Sequence, residues 1–139
     1  MRHYSRIITT LAVALLVSAC ETGRHSATGF RLPANGDAAR GKAVFLEFGC
    51  ARCHNVSGAA DLPAPAQLAK PVVLGGEKAF EMPDGYLVTS IINPTYRRPA
   101  QTPMPSHTDQ MTVQQLTDLV AFLQTHYTTR TVPSRYGYY

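Results

Sequence analysis

Along the first part of the chain the apolar positions do not alternate with polar ones but run together. Residues 7–19 read IITTLAVALLVSA, with Arg2 and Arg6 ahead of them. A basic start, a moderate apolar stretch and small residues at its end make a secretory signal, removed on export. Spanning about 30 Å of hydrocarbon takes roughly 20 apolar residues, more than this run supplies. Residues 21–35 (ETGRHSATGFRLPAN) then turn small and polar with no period, which predicts a flexible tether.

Helical periodicity opens at Asp37, a candidate N-cap. Ala38, Ala39, Val44, Phe45 and Phe48 form an apolar stripe that runs up to Gly49. Residues 55–85 are rich in Pro, Ala and Gly, with Pro63, Pro65, Pro71 and Pro83, and predict loop with short turns. A loop this long in a compact domain implies that it wraps something. A shorter helix is predicted over 84–92, with Tyr86, Leu87, Ile91 and Ile92 as its apolar face and Asn93-Pro94 as its stop. The last helix has the clearest signature. Thr112 caps it, Gln115 completes a capping box, and Val113, Leu116, Leu119, Val120 and Leu123 recur at helical spacing. No strand signal of weight and no internal repeat is present. The Tyr-rich end, 128–139, has no period and predicts a mobile tail.

Composition narrows this picture. The chain has 139 residues, 45% apolar and 16% charged, which fits one domain and excludes a disordered or highly charged segment. The domain proper is then 36–127, behind a signal at 1–19 and a tether at 20–35. A formal charge of +4 invites a nucleic-acid reading. Arg2 and Arg6 leave with the signal, however, which reduces 13 Lys+Arg to 11 against 9 Asp+Glu. The sequence therefore predicts no nucleic-acid partner.

Three cysteines cannot all pair with one another. Two of them stand in Cys50-Ala51-Arg52-Cys53-His54, a C-x-x-C-H run at the end of the first helix. That is the attachment motif for c-type haem: two thiols bond one porphyrin edge and the adjacent imidazole ligates the iron. A disulfide across the pair would leave His54 unexplained. A zinc site needs four ligands, and His3, His25, His107 and His126 show no pairing at ligand spacing. A thioredoxin-like motif needs strands alternating with helices. For the sixth iron position Thr102-Pro103-Met104-Pro105 offers Met104 on a stiff segment, and His plus Met ligation raises the reduction potential. Met111, His107 and an open site are the other options, with His126 at the end of its helix less suited. Met82 reads as core filler.

Two resemblances follow from these residues. Leu16-Val17-Ser18-Ala19-Cys20 resembles the lipobox of bacterial lipoproteins, which implies cleavage before Cys20 and acyl chains on that residue. Several chains make a stable anchor where one does not. Glu21, rather than Asp, after the cysteine leans toward the outer over the inner membrane by the same analogy.

From Gly36 to His126 the chain resembles a small mono-haem cytochrome c of the His/Met kind. Gly41-Lys42-Ala43-Val44-Phe45 is similar to the family's first helix, where the glycine lets the last helix cross closely and the aromatic packs at the crossing. Phe122-Leu123 matches the packing aromatic of the last helix. Residues 86–94 with Met104-Pro105 resemble the c-domains of terminal oxidases and related respiratory enzymes.

The resemblance implies an all-α fold, three to four helices wrapped around one covalent haem c and its iron, with long loops. It implies electron transfer rather than catalysis, with redox proteins as partners and a periplasm-facing location. The family's Gly-Pro-x-Leu has its nearest match in Ala64-Pro65-Ala66-Gln67-Leu68, one residue longer, which puts the Pro65 carbonyl in the role of acceptor for the proximal imidazole. Tyr96-Arg97-Arg98-Pro99 reads either as a set of propionate partners or as a solvated basic turn. With Arg52, Arg97 and Arg98 can form a patch that orients an acidic partner. The alternatives to a shuttle are a haem enzyme or sensor with an open sixth position, such as a peroxidase, and a haem-bearing oxidoreductase subunit.

Overall fold

The structure is a computed structural model that describes residues 30, 32–97 and 104–130. The expected signal, Cys20, most of the tether, Arg98 and the end of the Tyr-rich tail lie outside the described residues. In chain order the elements are helix α1 (Ala38–Glu47), a 3₁₀ turn (Cys50–Arg52), strands β1 (His54–Val56), β2 (Val72–Leu74) and β3 (Gly76–Lys78), helices α2 (Asp84–Ile92), α3 (Pro94–Arg97) and α4 (Val113–Gln124), and strand β4 (Tyr127–Thr129).

The frame is the crossing of α1 with α4, the most extensive pairing of elements in the molecule. Asp37 caps α1, its side chain accepting from the Arg40 backbone N–H at 2.8 Å. Thr112 and Gln115 close the capping box of α4. At the crossing a Cβ on Gly41 would lie 1.9 Å from the Asp118 carbonyl oxygen and 2.7 Å from the Phe122 Cβ. No side chain fits there, so glycine is what brings the two helices into contact. Phe45, 1% exposed, packs on Phe122 with ring centroids 5.7 Å apart.

The core extends from this crossing through Val44, Leu116, Leu119, Val120 and Leu123 to Leu87, Val88 and Ile91 of α2. The apolar face of α2 therefore differs from the sequence expectation. Leu87 and Ile91 are buried, but Val88 joins them while Tyr86 is 41% exposed and Ile92 only partly covered. Positions 84, 87, 88 and 91 share one helical stripe and Tyr86 falls a residue off it. Val113 likewise stands at 68% exposure in the first turn of α4. Asn93 ends α2 as predicted, yet Pro94 opens the short α3 instead of a loop, its fixed φ suiting a first helical position.

The all-α expectation needs amendment too. Four three-residue strands form two parallel pairs, β1 with β2 (His54 opposite Val72) and β3 with β4 (Gly76 opposite Tyr127). The Pro-rich 55–85 segment thus folds back on the C-x-x-C-H run. Thr128 and Thr129, the first residues of the expected tail, belong to β4. No helix among the described residues is long and apolar enough to cross a membrane.

Candidate functional site

The C-x-x-C-H run is shaped by the way α1 ends. Phe48 terminates the helix and Gly49 takes the left-handed conformation, φ 68°, that a side chain would resist. The chain then tightens into the 3₁₀ turn, with the Arg52 N–H donating to Gly49 O (3.1 Å) and the Cys53 N–H to Cys50 O (3.2 Å). This turn sets the two thiols three positions apart, with His54 emerging next on β1.

The returning chain fixes the run from the other side. The Gln67 N–H donates to Arg52 O at 2.9 Å and the Val72 N–H to Cys53 O at 3.1 Å. Two carbonyls of the motif are therefore held by the loop that shows no periodicity in the sequence, and the backbone cannot shift without breaking them.

Cys50 and Cys53 carry no disulfide between them in this structure. Cys50 packs against the hydrophobic core, and burial pushes its pKa up to about 11, against smaller opposing effects from its own backbone amide and the Arg52 charge. Cys53 Sγ donates to the Gln67 side-chain oxygen at 3.5 Å. His54 is half-buried, and burial pushes its imidazole below the ordinary range, offset in part by the Val72 backbone. A neutral imidazole is the form that ligates a metal. Its Nδ1 is buried without a hydrogen-bond partner among the described residues.

Two free thiols and a neutral imidazole on one rigid turn fit a covalent haem. The donor set does not by itself complete a metal site: among the described residues no three or more His, Cys, Asp and Glu gather to hold an ion.

The segment bearing Met104 is anchored a few residues on. Ser106 Oγ and Thr108 Oγ1 both donate to the Ile92 carbonyl, at 2.6 and 2.7 Å, capping the C-terminal end of α2. Met104 itself is partly buried. The far end of the same helix is tied to α4 by Gln124 Nε2, which donates to Met82 O (2.8 Å) and Asp84 Oδ1 (3.0 Å).

Between the two hydroxyl anchors lies His107, 7% exposed, its ring set edge-on against Phe48 at 5.5 Å. His107 lines a cavity of about 490 Å³ together with Glu47, Phe48, Arg52, Pro105 and Gln110. Its Nδ1, like that of His54, is buried with no partner among the described residues. A buried polar atom left in that state costs roughly 1–3 kcal/mol.

The structure thus holds Cys50, Cys53 and His54 on one turn and secures the segment of Met104 to α2. Pro65 sits in the returning loop, partly exposed, and His54 Nδ1 has no bond to its carbonyl. Arg97 ends α3. The anchors Ser106 and Thr108 escape a reading of the sequence because a Ser-His-Thr triplet carries no distinguishing pattern. The one signal for them is the unfilled carbonyl that every helix end leaves.

Against this geometry, a family model described as cytochrome c matches residues 38–126, from the first residue of α1 to the turn after α4. No curated protein and no solved structure shows a significant match.

Proposed function

Because the chain belongs to the cytochrome c family, we propose that it is a membrane-tethered carrier of single electrons between redox proteins of a respiratory chain. The cofactor is haem c, bound covalently with its iron, and Cys50 and Cys53 are the thiols that would hold it. When bound, it supplies a one-electron ferric–ferrous couple.

This chain's own residues do the rest. His54 and Met104 are the side chains that would ligate its iron, a pair that would raise the reduction potential and suit a carrier on the oxidising side of a chain. The α1–α4 crossing and the 67–72 return hold the attachment turn rigid, so little reorganisation accompanies each transfer. Partners dock at a small transient interface, below about 1,200 Å². Arg52 and the Arg97–Arg98 pair serve to orient an acidic partner, and the Pro65 carbonyl is a candidate acceptor for the His54 imidazole. Cys20 carries the lipid anchor and residues 20–35 the tether, facing the periplasm, with the outer membrane favoured over the inner.

The observation that carries this reading is the C-x-x-C-H turn, with both thiols free and His54 half-buried beside them, inside the matched span. The test is to produce the full chain in a host that matures c-type cytochromes. Haem should remain on the denatured, reduced polypeptide, and a redox titration should give a single one-electron wave. The oxidised protein should show the weak thioether-to-iron charge-transfer band at the red end of the visible spectrum. Fast carbon monoxide binding to the reduced form, without that band, would instead favour the open-site enzyme or sensor. Cell fractionation tests the anchor: the wild type should follow membranes, whereas Cys20→Ser should lose its lipid and leave the membrane fraction.

A further inference from the structure

Buried polar atoms in folded proteins are almost always paired. Among the described residues two buried side-chain nitrogens are not, His54 Nδ1 and His107 Nδ1. The first belongs to the ligand of the attachment turn. The second belongs to a residue that the electron-transfer reading leaves without a task.

Its placement suggests one. His107 lies three residues after Met104 on the same segment, and that segment is clamped to the Ile92 carbonyl on both sides of it, by Ser106 and Thr108. The clamp holds the imidazole inward, edge-on to Phe48, two residues before Cys50. It shares its cavity with Arg52, which stands between the two thiols. Glu47, Arg52 and Gln110 also line that cavity, yet none of them bonds Nδ1. The segment therefore carries two side chains of iron-ligating type, the partly buried Met104 and the buried His107, and it keeps the imidazole beside the attachment turn.

We propose that His107 is a second iron-ligating side chain of this loop, which takes the sixth position when the Met104 thioether is absent or displaced. The inference rests on the His54/Met104 reading. The exchange moves no electron and, for a neutral imidazole, no proton: a nitrogen lone pair takes the place of a sulfur lone pair on the same iron. Imidazole is a stronger donor to ferric iron than thioether, so the exchange lowers the reduction potential.

The experiment compares four haem-loaded full-length proteins: wild type, His107→Phe, Met104→Ala and the double variant Met104→Ala/His107→Phe. Phenylalanine keeps an aromatic ring against Phe48, and covalent haem content with far-ultraviolet circular dichroism confirms folding. Ferric Met104→Ala should lack the thioether band yet stay low-spin and six-coordinate, and its reduced form should bind carbon monoxide slowly. The double variant should turn high-spin and bind carbon monoxide at least tenfold faster. Should Met104→Ala already be high-spin, and the double variant match it, the inference is overturned while Met104 ligation stands. A wild type lacking the thioether band sinks the Met104 reading instead. In that event a high-spin His107→Phe would make His107 the resident ligand, and an unchanged His107→Phe would overturn the inference as well.

Discussion

Cys50 shows how burial sets the chemistry of a single side chain here. Its thiol packs against the core, and burial outweighs the favourable pull of Arg52, moving its pKa from an ordinary 9.0 to about 11. Only the thiolate attacks alkylating reagents or disulfides. At pH 8 so high a pKa leaves about a hundredfold less thiolate than an ordinary cysteine has. Burial on this turn therefore favours the protonated form of Cys50 at neutral pH. In the haem-free chain at pH 8, alkylation of Cys50, followed by peptide mass mapping, should run about a hundredfold slower than in an unstructured peptide spanning residues 48–55. The rate should climb roughly tenfold per pH unit toward pH 11. Equal rates in chain and peptide would show that burial does not control this thiol.

At the level of elements, the α1–α4 crossing was legible because its determinants are local or sterically unambiguous. The Thr112–Gln115 spacing makes a capping box within one turn, and the resemblance of residues 41–45 to the family's first helix implied the close approach at Gly41 and Phe45 that the structure shows. The strands were not legible. Each is three residues long, and each is specified by a partner far off in sequence, as His54 is by Val72 and Gly76 by Tyr127. Three residues are too few to display a period of two against a Pro-rich background. Two substitutions test the crossing. Gly41→Ala sets a methyl against the Asp118 backbone carbonyl, which cannot rotate away. Overpacking of this kind costs about 1–3 kcal/mol, more than the ~1 kcal/mol that alanine gains over glycine in helix propensity. A lowered denaturation midpoint is therefore expected, and an unchanged or raised one would mean that the helices separate freely. Thr112→Ala removes the cap from α4 and should cost about 1 kcal/mol. Thr112→Ser, which keeps the hydroxyl, should recover most of that loss.

Across the whole molecule, the attachment motif was readable from five consecutive residues, while what holds it in place was not. Rigidity comes from groups distant in sequence: Gln67 on Arg52, Ser106 and Thr108 on Ile92, and Asp118 on the start of α1. Asp118 is the tightest of these. Its carboxylate, 4% exposed, accepts from Arg40 Nε (2.8 Å) and Nη2 (2.9 Å), from the Asp37 backbone N–H (2.8 Å) and from Gln114 Nε2 (2.9 Å). The Arg40 guanidinium is the main reason that its pKa falls to about 2, with the Asp37 and Gln114 bonds adding to the effect against the opposing cost of burial. Because the folded value lies below the unfolded one, near 3.9, the stabilisation is complete above pH 4–5 and fades as pH falls toward about 2. Asp61, held down by Lys42, titrates in the same direction, so a variant without Asp118 keeps some acid sensitivity. The difference between two profiles isolates Asp118. Asp118→Asn should be clearly less stable than the wild type at pH 7, measured by denaturant unfolding of the haem-loaded protein. The gap should hold down to about pH 5, then close between pH 4 and 2 as the wild-type carboxylate takes up its proton. Profiles that stay parallel to pH 2 would mean that the Arg40–Asp118 charge pair does not lock the first and last helices together.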